Sequence, residues 1–331
     1  MLAEAAAMPW RRRASQRSLA REGRIWTLWS VALIVTFGLP AALLIWIQPL
    51  AFPVAAIFLG HAVAVLHLQA RRGARGVKPI DGAGSADTYR LDSGQELGEV
   101  LPLLRHIPEV SVEEFIDGEE FTYDTVCADG SILFDNVMWY RPRPLQMKMH
   151  EWISPTSIVL RDLSVHDLQG GLQMGAEVLA ALGFRSGFTH MEWYLKSDGE
   201  AVFGEIGGRP PGARAVDLMN YATDGDVYVA WAEAVVHGRL SQPLERRYNS
   251  GCVFKRAEGV GRITHMEGLD RLLSEYGEHV VLVDLLPIGA PRRDWRAVLI
   301  SDGMIMVRHR ELQPVIEMTE RFAADLHLYA S

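Results

Sequence analysis

Val112-Glu-Glu-Phe-Ile-Asp-Gly-Glu-Glu-Phe-Thr122 and, about 85 residues further on, Gly204-Glu-Ile-Gly-Gly-Arg-Pro-Pro-Gly212 are the stretches from which the rest of the chain can be read. The first sets a carboxylate at each end of a short strand and turn, with apolar Phe115 and Ile116 between them. That pattern suits the edge of an adenine ring on one side and ribose hydroxyls on the other. The second ends an apolar strand on Glu205, just before Arg209 and a rigid Pro-Pro-Gly turn. Such a carboxylate suits Mg²⁺ bound against phosphates, because this ion takes a few carboxylate oxygens and completes its shell from the substrate. A charge closing an apolar strand also needs a partner to offset its desolvation. The same reasoning applies to Glu192, set between Met191 and Trp193.

A third stretch lies upstream: Val77-Lys-Pro-Ile-Asp-Gly-Ala-Gly-Ser-Ala-Asp-Thr88. Glycines let backbone N–H groups approach an anion closely, and a lysine supplies a compact charge. In this order the three stretches resemble the ATP-grasp superfamily of carboxylate–amine ligases and biotin-carboxylase-like enzymes, over residues 76–331. The resemblance implies that Lys78 reaches the nucleotide's phosphates and that Gly82, Gly84 and Ser85 form the loop above them. It puts Glu113 at the adenine amino group, Glu114, Phe115 and Ile116 at the hinge, and Glu120 on the ribose hydroxyls. It makes Glu192 and Glu205 ligands of Mg²⁺ (or Mn²⁺), with His190 and Arg209 beside the reacting groups. On the residues alone, Lys78, Glu113 and Glu120 also read as solvated charges, Arg209 as the partner of a nearby acid, and His190 as a hydrogen-bonded strand residue.

The fold implied is α+β. An ATP-grasp-like domain of antiparallel sheets with helices covers residues 71–245, and a C-terminal α/β subdomain covers 246–331. The chemistry implied is ATP-dependent activation of a small-molecule carboxylate through an acylphosphate, which an amine or similar nucleophile attacks. Positioning and electrostatics dominate such transfers, so a nucleophilic triad is not required. Three departures stand out. Gly207 occupies a place where many members carry Asn, His190 one where others often carry Arg, and no complete preceding domain is visible before Lys78. The Lys78 strand is therefore expected to lack a neighbour, with a partner chain supplying the absent half. Two further readings are a catalytically impaired nucleotide-binding module and a membrane-anchored scaffold without turnover.

Residues 25–47 form an uncharged run of 23 and residues 50–68 another of 19. About 20 apolar residues match a helix crossing a ~30 Å hydrocarbon core. Trp26, Trp29 and Trp46 stand near the ends of the first run, where amphipathic rings favour the interface. Six arginines from Arg11 to Arg24 precede the runs, and Arg71, Arg72 and Arg75 follow them. The positive-inside tendency places both flanks in the cytoplasm. The expectation is a basic cytoplasmic tail (1–24), a transmembrane hairpin of two helices (25–70) in contact with the lipid bilayer, and a cytoplasmic body.

Charge divides the same way. Residues 1–78 carry ten Lys or Arg against Glu4 and Glu22, whereas residues 79–331 carry −16. An acidic body argues against nucleic acid as its partner. Cys127 and Cys252 lie far apart in apolar strands and read as reduced core thiols. Periodicity predicts helices over 95–106, 167–182, 227–237 and around 269–276, and strands over 111–115, 122–127, 132–137, 187–195 and 201–206, with short strands and glycine turns from 248 onward.

Overall fold

The computed structural model describes residues 74–79, 87–164, 166–298 and 300–331. The expected tail and hairpin, and loop residues Gly82, Gly84 and Ser85, lie outside the described residues. Among those described, no helix is long and apolar enough to cross a membrane. The chain divides into two compact units.

The described part of the first unit comprises residues 74–77 and Tyr89–Phe115. Strands β1 (Arg75–Pro79), β2 (Tyr89–Leu91) and β3 (Val110–Glu114) form a sheet in the order β2-β1-β3. The strand bearing Lys78 is thus central, with a neighbour on each side, which corrects the expectation of an unpaired strand. Local chain supplies both partners, because the pairing of Arg75, Gly76 and Val77 with Leu91, Arg90 and Tyr89 needs only a short return. Helix α1 (Gly94–Val100) starts at Ser93, whose hydroxyl accepts the Glu96 N–H at 3.3 Å, while Glu96 reaches back to the Asp92 N–H. The helix was expected to run to 106. Pro102 ends it, since proline lacks the N–H that would continue the helical hydrogen bonding. Val77, Leu91, Leu97 and Leu104 form this unit's core.

The second unit (Lys78–Thr88 and Ile116–Ser331) is built on an eight-stranded sheet. Its strands are β4 (Glu119–Ala128), β5 (Ser131–Arg141), β6 (Thr156–Val159), β7 (Gly187–Leu195), β8 (Ala201–Gly207), β9 (Asn249–Phe254), β12 (Val280–Leu285) and β13 (Gly303–His309). They run in the order β12-β13-β9-β6-β5-β4-β7-β8, antiparallel at every pairing. The sheet takes strands from both sides of residue 245. Strands β10 (Glu258–Gly259), β11 (Ile263–Glu267) and β14 (His327–Ala330) form a separate small sheet in which β10 and β14 run parallel.

Both faces of the large sheet are covered, and strand alternation assigns the residues. Phe121, Tyr123, Met191, Trp193, Val253, Ile305 and Val307 share one core with α7 (Leu312–Asp325). Val126, Phe188, Cys252, Phe254, Met304 and Met306 share the other with α4 (Ala215–Thr223) and α5 (Val227–His237). Helices α3 (Gln169–Ala181), α5 and α6 (Leu269–Tyr276) stand close to where periodicity puts them. Gly238 ends α5 in the left-handed conformation. Helices α2 (Pro144–Met149), α4 and α7 and strand β6 have no counterpart in the sequence reading. Cys127 and Cys252 are both free and buried.

Helix α7 packs directly on β9, and Gly251 permits the approach. A Cβ there would stand 2.5 Å from Thr319 Cγ2 and 2.8 Å from Val315 Cγ1. Gly251→Ala is therefore expected to cost about 1–3 kcal/mol in urea unfolding. Combining it with Thr319→Ser, which removes the clashing methyl and keeps the hydroxyl, should recover part of that loss, measured as a double-mutant coupling.

Candidate functional site

Because Phe121 and Tyr123 point into one core, Glu120, Thr122 and Asp124 of β4 share the opposite face. On β7, His190 and Glu192 take that face because Met191 and Trp193 take the other. Cross-strand register sets Asp124 opposite His190, and Glu192 opposite Glu205 of β8. Three adjacent strands thus gather four carboxylates on one side of the sheet. The close approach of β8 to β7 depends on Gly204, where a Cβ would lie 2.7 Å from the Glu192 carbonyl oxygen.

Cations answer these charges one by one. Asp124 is fully buried and accepts hydrogen bonds from Thr122 Oγ1 (2.6 Å), Asn136 Nδ2 (3.1 Å) and His190 Nδ1 (2.6 Å). The other ring nitrogen of His190, Nε2, is 3.5 Å from Glu192 Oε1. Burial opposes a charge on His190, but the bond to Asp124 and its charge, then Glu192, outweigh it and raise the imidazole to about 10. His190 is therefore an imidazolium strut between two carboxylates. Arg143, at the start of α2, binds Glu120 (Nε to Oε2, 3.3 Å) and donates from Nη1 to the Ile116 carbonyl (2.8 Å). Its guanidinium also lies over the Tyr194 ring. Lys78 Nζ donates to Glu205 Oε2 at 3.0 Å.

Glu120 is buried, and its carboxyl is raised to about 7 by desolvation first and the charge of Glu192 second, with Arg143 opposing and Glu205 adding. Tyr140, half-buried on the same side, is held well above the ordinary phenol range by desolvation and by Glu192, Asp124 and Glu120, against the charge of Arg209. Arg209 itself is exposed and donates to the Pro210 carbonyl.

These contacts and registers bring the second-unit residues Lys78, Glu120, His190, Glu192 and Glu205 together. Glu113, Glu114 and Phe115 belong to the first unit. There, Glu113 accepts from Ser111 Oγ at 2.8 Å, and Arg90 lies over the Phe115 ring at 4.6 Å. One physical expectation is reversed. Glu205 is half exposed, with its side chain 56% accessible, so the burden of desolvation falls on Glu120 and Asp124 instead. Asp124, Asn136, Arg143 and Tyr140 were missed. An Asp amid the apolar run of β4 was the available signal, since a buried acid in a strand requires donors.

Among the described residues, no three His, Cys, Asp or Glu side chains converge to hold a metal ion. Glu192 and Glu205 face each other as two. Mg²⁺ is commonly bound by one or two carboxylates together with substrate phosphates. Like charges directly opposite in a sheet repel, so this pair fits a cation in both donor type and charge.

No family model matches the chain, and no curated protein matches it. Solved structures do. An L-amino acid ligase from Bacillus licheniformis superposes with a TM-score of 0.62 at 19% identity, covering 78% of this chain and 63% of that one. An N5-carboxyaminoimidazole ribonucleotide synthetase from Thermotoga maritima gives 0.57 at 17%, covering 80% and 66%. The biotin carboxylase domain of a Hydrogenobacter thermophilus 2-oxoglutarate carboxylase, solved with MgADP and bicarbonate, gives 0.55 at 11%, covering 78% and 57%. The matched region spans less than two thirds of each of these proteins. All three are of the ATP-grasp type, and the likeness establishes that fold for the described chain.

The Glu120 shift has a testable consequence. A carboxyl near 7 in the folded chain and near 4.5 unfolded binds a proton more tightly when folded, so stability falls as pH rises through 4.5 to 7. Glu120→Gln removes that dependence and keeps an acceptor for Arg143. Its urea midpoint relative to the natural chain should rise across this window and level off above pH 7.

Proposed function

We propose that this chain is a MgATP-dependent ligase that activates a small-molecule carboxylate for attack by an amine or similar nucleophile. What carries the reading is the opposed pair Glu192 and Glu205, with Lys78 on Glu205 and Glu120 on the same sheet face. In this reading Glu192 and Glu205 hold Mg²⁺, which when bound neutralises phosphate charge. Lys78 and the loop of Gly82, Gly84 and Ser85 bind the phosphates. Glu113 and the hinge of Glu114, Phe115 and Ile116 receive adenine, and Glu120 receives the ribose hydroxyls. Arg143 orients Glu120 and, through the Ile116 carbonyl, the hinge. His190 holds Glu192 in place, and Arg209 takes the acidic substrate.

The substrate carboxylate oxygen attacks the terminal phosphorus and ADP leaves. The nucleophile then attacks the acyl carbon, losing a proton, and phosphate leaves. The chain's own contribution is to bind and orient these groups. Residues 25–70 anchor it in a bilayer as a two-span hairpin, with the body in the cytoplasm, and a partner chain completes the ligase where the acceptor site needs it. A nucleotide-binding module with impaired turnover is favoured by one observation, Gly207, whose hydrogen side chain offers no metal ligand.

Calorimetric titration with MgATP tests the nucleotide site. Loss of a charge-assisted contact costs about 1.5–3 kcal/mol, roughly 10- to 150-fold in affinity. Glu205→Gln should weaken Mg²⁺-dependent binding by that factor, and Glu200→Gln, on the exposed Lys196–Glu200 turn, should leave it unchanged. Equal effects would remove Glu205 from the site.

Gly207→Asn supplies a side-chain oxygen in the place where the resemblance puts one. A Cβ at 207 would meet Arg209 Cγ at 3.4 Å, an ordinary contact. The variant should fold normally and bind MgATP more tightly, while ATP without Mg²⁺ should bind as before.

A further inference from the structure

Helix α5 is apolar on both faces. Its inner face, Val227, Ala230, Trp231 and Ala234, packs on the large sheet, with the Trp231 ring set edge-on against Phe188. Its outer face carries Tyr228 (48% exposed), Val229 (53%), Val235 (54%) and Val236 (71%), with exposed Ala232 between them. Their spacing follows the helical period, so these five side chains form one continuous stripe along the helix. Large apolar side chains scattered singly need no account, whereas a helix that is apolar all round is ordinarily buried. Glu233, the one acid within α5, accepts the Ser241 N–H at 2.9 Å and is thus engaged by the loop that follows the helix.

Charge at the two ends of the helix selects what covers the stripe. Asp224 and Asp226 stand exposed at its start, and Arg239 stands exposed just past its end. Asp226 caps the helix through Oδ1, which accepts the N–H groups of Tyr228 and Val229 at 2.9 and 3.1 Å. With an acid at one end and a base at the other, the stripe is complementary to itself reversed. When it is laid antiparallel on a second copy about a two-fold axis at Ala232, Tyr228 meets Val236 of the copy and Val229 meets Val235. Asp226 then comes within reach of Arg239 of the copy. The small side chain at the axis lets the two helices close to about 8 Å. A lipid surface would instead call for cations along the rim of the stripe, but residues 224–239 hold three acids against Arg239 and His237.

We propose that two copies of this chain associate through α5, whose stripe of Tyr228, Val229, Ala232, Val235 and Val236 packs antiparallel on the same stripe of the second copy. The contact is two-fold symmetric and carries an Asp226–Arg239 pair across each end. It uses no residue of the carboxylate cluster and is independent of the ligase reading and of the hairpin anchor. A pair of helices of about three turns each lies at the small end of specific interfaces, so the dimer dissociates on dilution.

The test uses the full-length chain in mild detergent, with cysteines introduced one at a time, the two native ones being buried. Under oxidation Ala232→Cys should form a disulfide-linked dimer, because it lies on the axis. Tyr228→Cys alone and Val236→Cys alone should not link, since eight residues set like positions about 12 Å apart along the helices. Mixed together, these two variants should link. Leu182→Cys is the control and should stay unlinked, being also exposed but ending α3 on the opposite side of the sheet. In sedimentation of the chain without added cysteines, a dimer should form and dissociate on dilution. Val236→Lys should abolish it, and Arg239→Glu should weaken it about tenfold, because two symmetry-related ion pairs are lost together. Both variants alter exposed side chains and should keep the circular dichroism of the natural chain. Linking of Tyr228→Cys to itself as readily as of Ala232→Cys, or a dimer that Val236→Lys leaves intact, overturns the proposal. So does a chain that is monomeric at every concentration. If lipid covers the stripe, Val236→Lys will lower binding to phosphatidylcholine vesicles while Ala232→Cys stays unlinked, which likewise overturns it.

Discussion

Repulsion among carboxylates on one sheet face is the constraint around which the second unit is organised. Glu120, Asp124, Glu192 and Glu205 stand on three neighbouring strands, and two of them are buried. Uncompensated, such a group would protonate or open the sheet. Three cations prevent this, each delivered by a different element. His190 arrives within the sheet, Arg143 from the start of α2, and Lys78 from a strand more than a hundred residues away in sequence. The compensation is uneven, and Glu120 shows it by holding its proton to about 7.

That unevenness connects fold to chemistry. A face with more negative charge than its own cations neutralise is suited to a divalent ion, and a lysine resting on Glu205 is suited to a phosphate once that ion takes the carboxylate. The bland alternative is a set of structural ion pairs, which also perturb titration. The direct opposition of Glu192 and Glu205 speaks against it, since a pairing chosen only for stability would not set two acids across from each other.

Much of the second unit could be read in advance. The strands 187–195 and 201–206, the helix 227–237 and its closing glycine were legible because alternation, helical period and glycine punctuation agree there. Strand β6 was not, because Thr156–Val159 is only four residues long, is buried on both faces and shows no alternation of polar and apolar side chains. In the site, Glu192, Glu205 and Lys78 stood in recognisable surroundings. Arg143 did not, since nothing in its neighbours along the chain distinguishes it from a surface polar residue, and Asn136, although inside the expected strand 132–137, meets Asp124 only through cross-strand register.

Sequence by itself determined the antiparallel α+β character, the acidic body, the order of the site stretches and the residues that bear charge within apolar strands. These follow from local pattern, which the chain expresses wherever it folds. Only the tertiary structure decided which charge meets which. It made the Lys78 strand central, moved the burden of burial from Glu205 to Glu120 and Asp124, and turned His190 into a strut between Asp124 and Glu192. Register is the physical reason. A shift of one residue between β4 and β7 would send every one of these side chains to the other face, and what holds the register is the packing of Phe121, Met191 and Trp193 on the far side of the sheet.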